Sequence, residues 1–338
     1  MADIVVVKAP VLKKMAVKKL QAAGMTREDA ATVADILVFA DLRGVHSHGV
    51  LRVEHYAKRI RAGGINLAMK LKLKMLKPNI GLFDAQGGMG HIASKFAMGE
   101  AIRIAGRRGM ALVGVKNASH CGALAYYTQM AIDAKMMGMV CVNTDTCMAP
   151  FGSKKAFFGT NPFSFGFPAK KDAILLDMAT SEVAFGKILH AREKNISIPD
   201  NWGVDAEGNK CTDPHKVKSV IPFGGAKGNG VAVMVEALTG LMIGGVFGPH
   251  LVAMYGEYEK RRNISNFFFV VDPGVFGAKP AYLATTQKMI DEMHSLPPAP
   301  GVEKVLIPGE IEYNYMKRYG KEGVPVPQSV YGYLSGKD

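Results

Sequence analysis

The segment 109–142, GMALVGVKNASHCGALAYYTQMAIDAKMMGMVCV, carries the clearest indication of fold class in this sequence. Its apolar run at 110–115 predicts a buried strand, 122–136 predicts a helix, and 138–142 predicts a second strand. The residues before it repeat the pattern, with a strand predicted at 80–84 and a helix at 91–107. Such alternation is typical of an α/β unit. We therefore expect an α/β domain in the middle of the chain.

Further predicted elements flank this segment on both sides. Lys70 to Met75 alternates lysine with apolar residues, which predicts a strand with its leucines inward and its lysines in water. The run Thr26-Arg-Glu-Asp29 resembles a capping box and predicts the start of a helix. Other helices are predicted near 10–23, 51–62, 181–194, 228–243 and 279–295, and other strands near 162–167, 174–177 and 267–271. The run 297–301, PPAPG, predicts a linker.

Composition and processing signals limit the class of protein. The 338 residues, 48% hydrophobic and 21% charged, suit an ordinary globular protein of one large or two medium domains. None of the four cysteines belongs to a Cys-x-x-Cys pair, so neither a zinc ribbon nor a thioredoxin-like motif is indicated. The apolar N-terminal run is too short for a signal peptide, and Glu236 interrupts the apolar segment 231–247. We expect a cytoplasmic protein without a membrane span.

The net charge of +13 is concentrated in residues 1–80. A nucleic-acid-binding protein is one interpretation, but no zinc finger, RNP-like motif or array of base-stacking aromatics accompanies the charge. We expect a solvated basic face whose field attracts small anionic substrates and cofactors, with no nucleic-acid partner. A metal hydrolase is a further alternative, and it would use the histidines at 46, 48, 55 and 120. The carboxylate ligands of such a site are not placed in any motif, so no metal is expected.

A glycine-rich turn at Gly88-Met-Gly90-His-Ile-Ala93 fits the pattern G-x-G-x-x-G/A between a predicted strand and a predicted helix. It is therefore compatible with a dinucleotide fingerprint, in which Arg107 and Arg108 would favour NADP. It is equally compatible with a turn that only starts a helix. The pattern by itself leaves both readings open.

Four other stretches place polar residues and glycines between apolar elements. They are RGVHSHG at 43–49, NASHCG at 117–122, FGTNP at 158–162 with DMATS at 177–181, and GAKGNG at 225–230. Oxidation of a secondary alcohol needs a base near neutral pKa, and His48 and His120 both suit that task. Arg52 could hold a carboxylate with both ends of its guanidinium group. Lys227 and the amides after it could hold a phosphate at a helix N-terminus.

Taken together, these stretches resemble the malate/L-lactate dehydrogenase family of the non-Rossmann type. The resemblance covers nearly the whole chain, and its ureidoglycolate dehydrogenase branch is the most similar, through residues 31–64, residues 195–214 and the pair Thr144-Asp145. It implies a family-specific mixed-sheet NAD(P)-binding domain, not a Rossmann fold, at 76–295. It also implies a mainly helical second domain from 1–75 plus 296–338, and a homodimer with its active site near the subunit interface.

The same resemblance implies the functional residues. His120 is expected to accept the hydroxyl proton, with His48 on the same oxygen and Ser47 and Asp177 as further members of a relay; the two histidines could exchange roles. Arg52 is expected to bind the substrate carboxylate. Tyr56, Asp145 and Thr160 complete the predicted substrate site. The predicted cofactor contacts are His120, Thr144, Asp177, Met178, Ala179, Lys227, Gly228, Thr285, Gly309 and Glu310.

The implied reaction is NAD(P)-dependent oxidation of a small 2-hydroxy acid. The leading substrate is (S)-ureidoglycolate, which would give oxalurate, and NAD is the first choice of cofactor with NADP as the alternative. Within the same family, the alternatives are malate, L-lactate or sulfolactate oxidation, and reduction of a 2-oxo acid or a cyclic imine. We also expect residues 48, 52 and 56, spaced by four, to lie along one face of a helix.

Overall fold

A computed structural model describes residues 4–336 of the protein. The helices are α1 Ala9–Ala22, α2 Arg27–Leu42, α3 Val53–Arg61, α4 Gly90–Arg108, α5 Ala125–Asp133, α6 Phe185–Lys194, α7 Ala226–Glu236, α8 Lys279–His294, α9 Glu310–Glu322 and α10 Gln328–Ser335. The strands are β1 Ile4–Val7, β2 Lys74–Lys77, β3 Ile80–Asp84, β4 Met110–Ala118, β5 Met137–Val142, β6 Phe163–Pro168, β7 Ala173–Met178, β8 Gly203–Val204, β9 Ser219–Val220, β10 Ile264–Val271 and β11 Val324–Pro327.

The central sheet has seven strands in the order β2-β3-β4-β10-β5-β6-β7. Only β3 and β4 run parallel within it, and they are joined through α4, while its other neighbouring pairs are antiparallel. A dinucleotide-binding Rossmann sheet is mostly parallel. The predicted mixed-sheet α/β fold is therefore confirmed, and the glycine-rich turn at 88–93 does not begin a Rossmann unit.

The helices α4 and α5 cover one face of this sheet. The α4 face that meets the strands is built from alanines, with Ala93, Ala97 and Ala101 spaced by four and fully buried. Small side chains at this spacing line up on one side of a helix and let it approach the sheet closely. They pack with central strand residues such as Val113 and Phe268 in one core.

A second core lies among α1, α2, α3 and the chain ends. The side chain of Thr26 accepts a hydrogen bond from the amide of Asp29 (3.1 Å), which confirms the predicted cap of α2. β1 pairs antiparallel with β11, so the N- and C-terminal parts share one apolar cluster that includes Leu12, Leu20 and Val324. The domain boundaries at 75 and 296 remain a prediction.

The strand predicted at 70–75 is wrong in position. The observed β2 begins at Lys74, all four of its residues are exposed, and Leu71 is 47% exposed. β2 is an edge strand of the sheet and pairs with β3, which ends at Asp84. Because Lys74 pairs with Leu82, residues 70 and 71 would lie beyond that end. Within residues 4–336, no helix combines the length and apolarity needed to cross a membrane.

Candidate active site

The two histidines that the sequence singled out lie face to face. His48 ends a short 3-10 turn between α2 and α3, and His120 lies in the loop between β4 and α5. Their rings are stacked, with centroids 5.5 Å apart and planes inclined by 26°. Two segments more than 70 residues apart thus bring two imidazoles to one place, as predicted for proton transfer at a single substrate oxygen.

The turn that carries His48 is shaped by a buried carboxylate. Asp41 accepts hydrogen bonds from the amide of Val50 (2.8 Å) and from Nδ1 of His46 (3.0 Å). A Cβ at Gly49 would lie 2.0 Å from Oδ1 of Asp41, so this position requires glycine. Burial raises the pKa of Asp41, although its two hydrogen bonds oppose that shift. The HSHG motif therefore needs its glycine so that the turn can close over Asp41.

The ring of His120 is supported by Tyr56 and by the buried His91. The hydroxyl of Tyr56 lies 2.7 Å from Nδ1 of His120, and the amide of Gly122 lies 3.3 Å from the same atom. The ring of His91 packs edge-on to Tyr56 at 5.1 Å. His91 is fully buried, and neither of its ring nitrogens has a hydrogen-bond partner among the described residues. A Cβ at Gly90 would lie 2.5 Å from the carbonyl oxygen of His120.

The environment keeps both stacked imidazoles neutral. Burial, followed by the positive charge of Arg52, lowers the pKa of His48 to about 4. Burial and the neighbouring His48 lower the pKa of His120 well below its ordinary value. Removal of water disfavours the charged imidazolium, and a nearby cation disfavours it further. At neutral pH each ring therefore retains a lone pair that can accept a proton or a hydrogen bond.

Arg52 lies beside His48, but not by the geometry that the spacing predicted. The expected helix face through residues 48, 52 and 56 is wrong, because Gly49 is extended (φ −89°, ψ −156°) and separates two 3-10 turns. α3 begins only at Val53. Nε of Arg52 donates to the carbonyl of Ser47 (2.7 Å), and Nη1 donates to the hydroxyl of Tyr255. These two hydrogen bonds fix the guanidinium group through Nε and Nη1, and its remaining N–H groups can donate to a ligand.

The predicted relay is present in part. Oγ of Ser47 lies 3.0 Å from Nδ1 of His48. Asp177, near the end of β7, instead accepts a hydrogen bond from the amide of Ala125 (2.7 Å) at the start of α5. Within the part of the chain that the structure describes, no hydrogen bond joins Asp177 to His48. Although Asp177 keeps exposed surface, the protein atoms packed around its carboxylate raise its pKa to about 6.

The side chain of Asp145, another predicted substrate residue, is occupied by protein contacts, and for Thr160 a backbone contact is seen. Asp145 forms an ion pair with the buried guanidinium of Arg262, and its second oxygen accepts from the amide of Met254 (2.9 Å). The carbonyl of Thr160 accepts from the amide and hydroxyl of Thr180 (2.8 and 2.9 Å). Tyr56 is fully buried and bonded to His120, so it supports the site from within.

The loop that carries Thr144 is supported by a buried glutamate. Glu236 accepts from the side-chain amides of Asn143 (3.1 Å) and Asn161 (2.7 Å). Asn161 in turn accepts from the amide of Thr144 (3.2 Å). Oγ1 of Thr144 is buried and has no partner among the described residues. A buried hydroxyl without a protein partner is a candidate contact for a ligand, and Met178 and Ala179, which are half-buried, follow Asp177.

The predicted phosphate site lies at the start of α7. Gly224 and Gly225 have positive φ values of 54° and 63°, and Lys227 is exposed in the first turn of the helix. A Cβ at Gly228 would lie 1.9 Å from the carbonyl of Phe223, so only glycine fits there. The exposed ammonium group and the free amides of this turn suit an anionic phosphate.

The remaining predicted cofactor residues lie apart from Thr144. Thr285 lines an apolar cavity of about 540 Å³ together with Met137, the first residue of β5, whereas Thr144 follows the last residue of that strand. The strand rise puts these two ends about 20 Å apart. Gly309 caps α9 with a φ of 91°, and Glu310 is bonded to Lys304 and His294. Among residues 4–336, no hydrogen bond or ion pair joins Thr285, Gly309 or Glu310 to the histidine pair.

Several site residues had no recognisable signal in the sequence. Asp41, His91 and Glu236 are polar residues within helices, where a buried and a solvated position look alike in the sequence. Tyr255 and Arg262 lie in the irregular segment before β10. A charged residue inside an apolar run, as at Glu236, was the only available indication.

The chain is similar over nearly its whole length to known dehydrogenases. The sequence profile of the malate/L-lactate dehydrogenase family matches residues 7–335. An NAD(+)-dependent ureidoglycolate dehydrogenase of Escherichia coli K12 is 37% identical over 324 residues, which is 96% of this chain and 93% of that protein. The solved sulfolactate dehydrogenase of Methanocaldococcus jannaschii superposes with a TM-score of 0.91 at 35% identity, covering 98% of this chain and 95% of that one. The malate dehydrogenase structure from Pyrococcus horikoshii OT3 superposes with a TM-score of 0.90 at 30% identity. This match covers 100% of this chain and 98% of that one.

Proposed function

The chain belongs to the malate/L-lactate dehydrogenase family, and we propose that it oxidises a small 2-hydroxy acid, with (S)-ureidoglycolate to oxalurate as the leading reaction. It is a nicotinamide-dependent dehydrogenase that acts on a CH–OH group. Oxidation of malate, L-lactate or sulfolactate, and reduction of the corresponding 2-oxo acid or of a cyclic imine, are the alternatives within the family.

The observation that carries this proposal is the pair of neutral, stacked imidazoles beside an anchored guanidinium group. In a 2-hydroxy acid, the carboxylate adjoins the carbon that is oxidised. The substrate therefore needs a cation and a proton acceptor close together. Arg52 and His48 supply that pair, since the charge of Arg52 contributes to the lowered pKa of His48, and His120 stacks on His48.

The proton of the hydroxyl group passes to one of these two rings. We assign it to Nε2 of His120, because Tyr56 can then accept a hydrogen bond from Nδ1 and stabilise the imidazolium that forms. His48, bonded to Ser47 through Nδ1, directs its other nitrogen to the same oxygen. One observation favours the exchanged roles: the amide of Gly122 can only donate, and it points at Nδ1 of His120.

Two groups outside the histidine pair would suit a dinucleotide. The unpartnered Oγ1 of Thr144 offers a hydrogen bond, and Lys227 with the first amides of α7 offers a phosphate site. A bound nicotinamide would supply the hydride acceptor for the carbon that bears the hydroxyl group. The relative named as NAD(+)-dependent supports NAD as the first choice, and NADP is the alternative.

The ureidoglycolate assignment rests on the 37% identity to ureidoglycolate dehydrogenase over nearly the whole chain. The sulfolactate dehydrogenase of M. jannaschii is also 37% identical, over 325 residues, so the identity alone does not choose the substrate. The homodimeric state and the cytoplasmic location expected from the sequence also stay predictions.

The test is a panel of 2-hydroxy acids assayed with NAD and with NADP by the absorbance of the reduced nicotinamide. We expect (S)-ureidoglycolate with NAD to give the highest kcat/KM. A higher kcat/KM for malate or sulfolactate would overturn the substrate assignment. Failure of every 2-hydroxy acid, in both directions, would overturn the proposed function itself.

A further inference from the structure

A segment that the sequence left without a role, residues 252–262, contacts Arg52 and is fixed by a buried arginine. We call it the strap. Arg59 is 1% exposed. Its Nη1 donates to the carbonyls of Glu257 (3.2 Å) and Lys260 (2.7 Å), and its Nη2 donates to those of Ala253 (3.1 Å) and Met254 (2.8 Å). Four carbonyl bonds to one guanidinium group define the path of the strap.

The two ends of the strap are tied down independently of Arg59. Arg262, at its C-terminal end, forms the ion pair with Asp145 and donates from Nε to the carbonyl of Val252 (3.1 Å). Asp145 also accepts from the amide of Met254 (2.9 Å). The middle of the strap packs closely against the turn after α3. A Cβ at Gly64, in that turn, would lie 2.0 Å from the carbonyl of Tyr258. The backbone of the strap is therefore held although it has no regular structure.

This anchored strap presents one exposed phenol beside Arg52. The ring of Tyr255 is 51% exposed and packs edge-on against His55, with centroids 5.2 Å apart. Its hydroxyl is bonded to Nη1 of Arg52. A guanidinium group has only donors, so the phenolic oxygen must be the acceptor. The O–H of Tyr255 is left free to donate, and no acceptor for it lies among residues 4–336.

We propose that Tyr255 determines substrate specificity by donating a hydrogen bond to a second acceptor on the substrate. This second acceptor is one beyond the carboxylate that Arg52 holds: a ureido carbonyl, a second carboxylate or a sulfonate. The inference rests on the proposed function. Of the predicted substrate residues Tyr56, Asp145 and Thr160, the first is fully buried and the second is engaged by Arg262 and Met254, so neither offers a free donor.

The consequence is a preference for 2-hydroxy acids that carry a polar group on the carbon bearing the hydroxyl or on the next one. L-Lactate, which has only a methyl group there, gives Tyr255 nothing to bind. A site built to hydrogen-bond a substrate group discriminates against an analogue that lacks it. Because the phenol is half exposed and the bond involves one neutral donor, the effect is that of a single hydrogen bond.

The experiment compares Tyr255→Phe with the wild type on (S)-ureidoglycolate, malate and L-lactate. We expect kcat/KM for the better of the first two to fall roughly two- to tenfold, and kcat/KM for L-lactate to stay nearly constant. Tyr258→Phe is the control, since Tyr258 belongs to the same strap and its ring lies over Arg59. Thermal unfolding of both variants reports whether the strap stays folded.

Equal losses on all three acids would show that Tyr255 contacts the shared carboxylate and would overturn the specificity role. Unchanged kcat/KM on every acid would show that the phenol is only surface. A wild-type enzyme without activity on any 2-hydroxy acid would overturn the proposed function, and the inference with it. A fall in Tyr255→Phe that Tyr258→Phe reproduces would assign the effect to strap structure and would also contradict the proposal.

Discussion

The hydroxyl of Tyr56 and Nδ1 of His120 lie 2.7 Å apart in a site where the tyrosine has no exposed surface. Each atom can donate or accept, so this bond determines what the opposite nitrogen of His120 can do. If Nδ1 donates to the phenolic oxygen, Nε2 has a lone pair and can take a proton. If the hydroxyl donates to Nδ1, Nε2 carries a proton and can only donate to the substrate oxygen. The kinetics of variants at His120 and His48 test which of these two protonation states is the catalytic one.

Substitution His120→Ala is expected to lower kcat by about 10²–10⁴-fold, because that is the usual contribution of a positioned general base. His48→Ala is expected to raise KM more than it lowers kcat, and His190→Ala is the control, since His190 is an exposed histidine on α6. Steady-state kinetics decides. A nearly unchanged kcat in His120→Ala beside an inactive His48→Ala would exchange the roles.

The pH dependence of kcat/KM should differ from that of a solvated histidine. Burial and the charge of Arg52 lower the pKa of His48 to about 4, and burial lowers that of His120 as well. A base with a lowered pKa remains unprotonated to lower pH. An ordinary histidine has a pKa of about 6.5. We therefore expect the acid limb of kcat/KM to lie at a pH well below that value. A limb at 6.5 would show that the catalytic imidazole is solvated.

The same shifts make folding depend on pH, and the pH profile must be measured on folded protein. An imidazole that titrates near 4 when folded and near 6.5 when unfolded binds more protons in the unfolded state between these values. Its contribution to the free energy of unfolding is therefore present above pH 6.5 and is lost as the pH falls toward 4. Circular dichroism at each pH identifies the range in which activity reports catalysis.

Arg52 should not tolerate lysine. Its guanidinium group bonds Ser47 and Tyr255 and still has donors for a carboxylate, a geometry that a single ammonium group cannot reproduce. We expect Arg52→Lys to raise KM at least tenfold for every acid substrate, in line with the loss of a charge-assisted pair of hydrogen bonds. Lys58→Ala is the matched control, since Lys58 is exposed and pairs with Glu54 on its own helix. Similar, near wild-type KM values for both variants would place the carboxylate anchor elsewhere.

Cofactor binding should depend on Lys227. The exposed ammonium group at the start of α7 has no carboxylate partner among the described residues, so Lys227→Ala is expected to weaken NADH binding and leave the fold intact. Lys218→Ala, another exposed lysine, is the control. Fluorescence titration with NADH measures both. Gly90→Ala should disturb the backbone at His120 and should not remove a phosphate contact, because a Cβ at Gly90 meets the backbone of His120. Loss of NADH binding in a folded Gly90→Ala, with Lys227→Ala unchanged, would contradict this assignment.

Local patterns in the sequence predicted the parts of the fold that depend on neighbouring residues. The alternation around 109–142 became β4, α5 and β5, and Thr26 caps α2 as its spacing indicated. The spacing of residues 48, 52 and 56 misled, because the extended conformation of Gly49 interrupts the helix that spacing assumes. Glycine at that position is required by Asp41, a contact that no local pattern records.

The rest of the site is determined by contacts between distant segments. Glu236 looked like an interruption of an apolar helix, yet it is the buried acceptor that joins Asn143 and Asn161 behind Thr144. Asp145 looked available for substrate, but Arg262 engages it. A single sequence shows which residues can donate or accept, and only the fold shows which partners satisfy them. Tyr255 became a candidate because its hydroxyl proton has no hydrogen-bond acceptor among the described residues.

The central claim is hydride transfer from the carbon that bears the hydroxyl group to a nicotinamide. Its most direct test uses (S)-ureidoglycolate carrying deuterium on that carbon, with NAD and the wild-type enzyme. We expect one deuterium in each reduced nicotinamide by mass spectrometry, and a slower chemical step for the deuterated substrate in single turnovers. Product formed with the deuterium released to water, or with no label in the nicotinamide, would contradict the account.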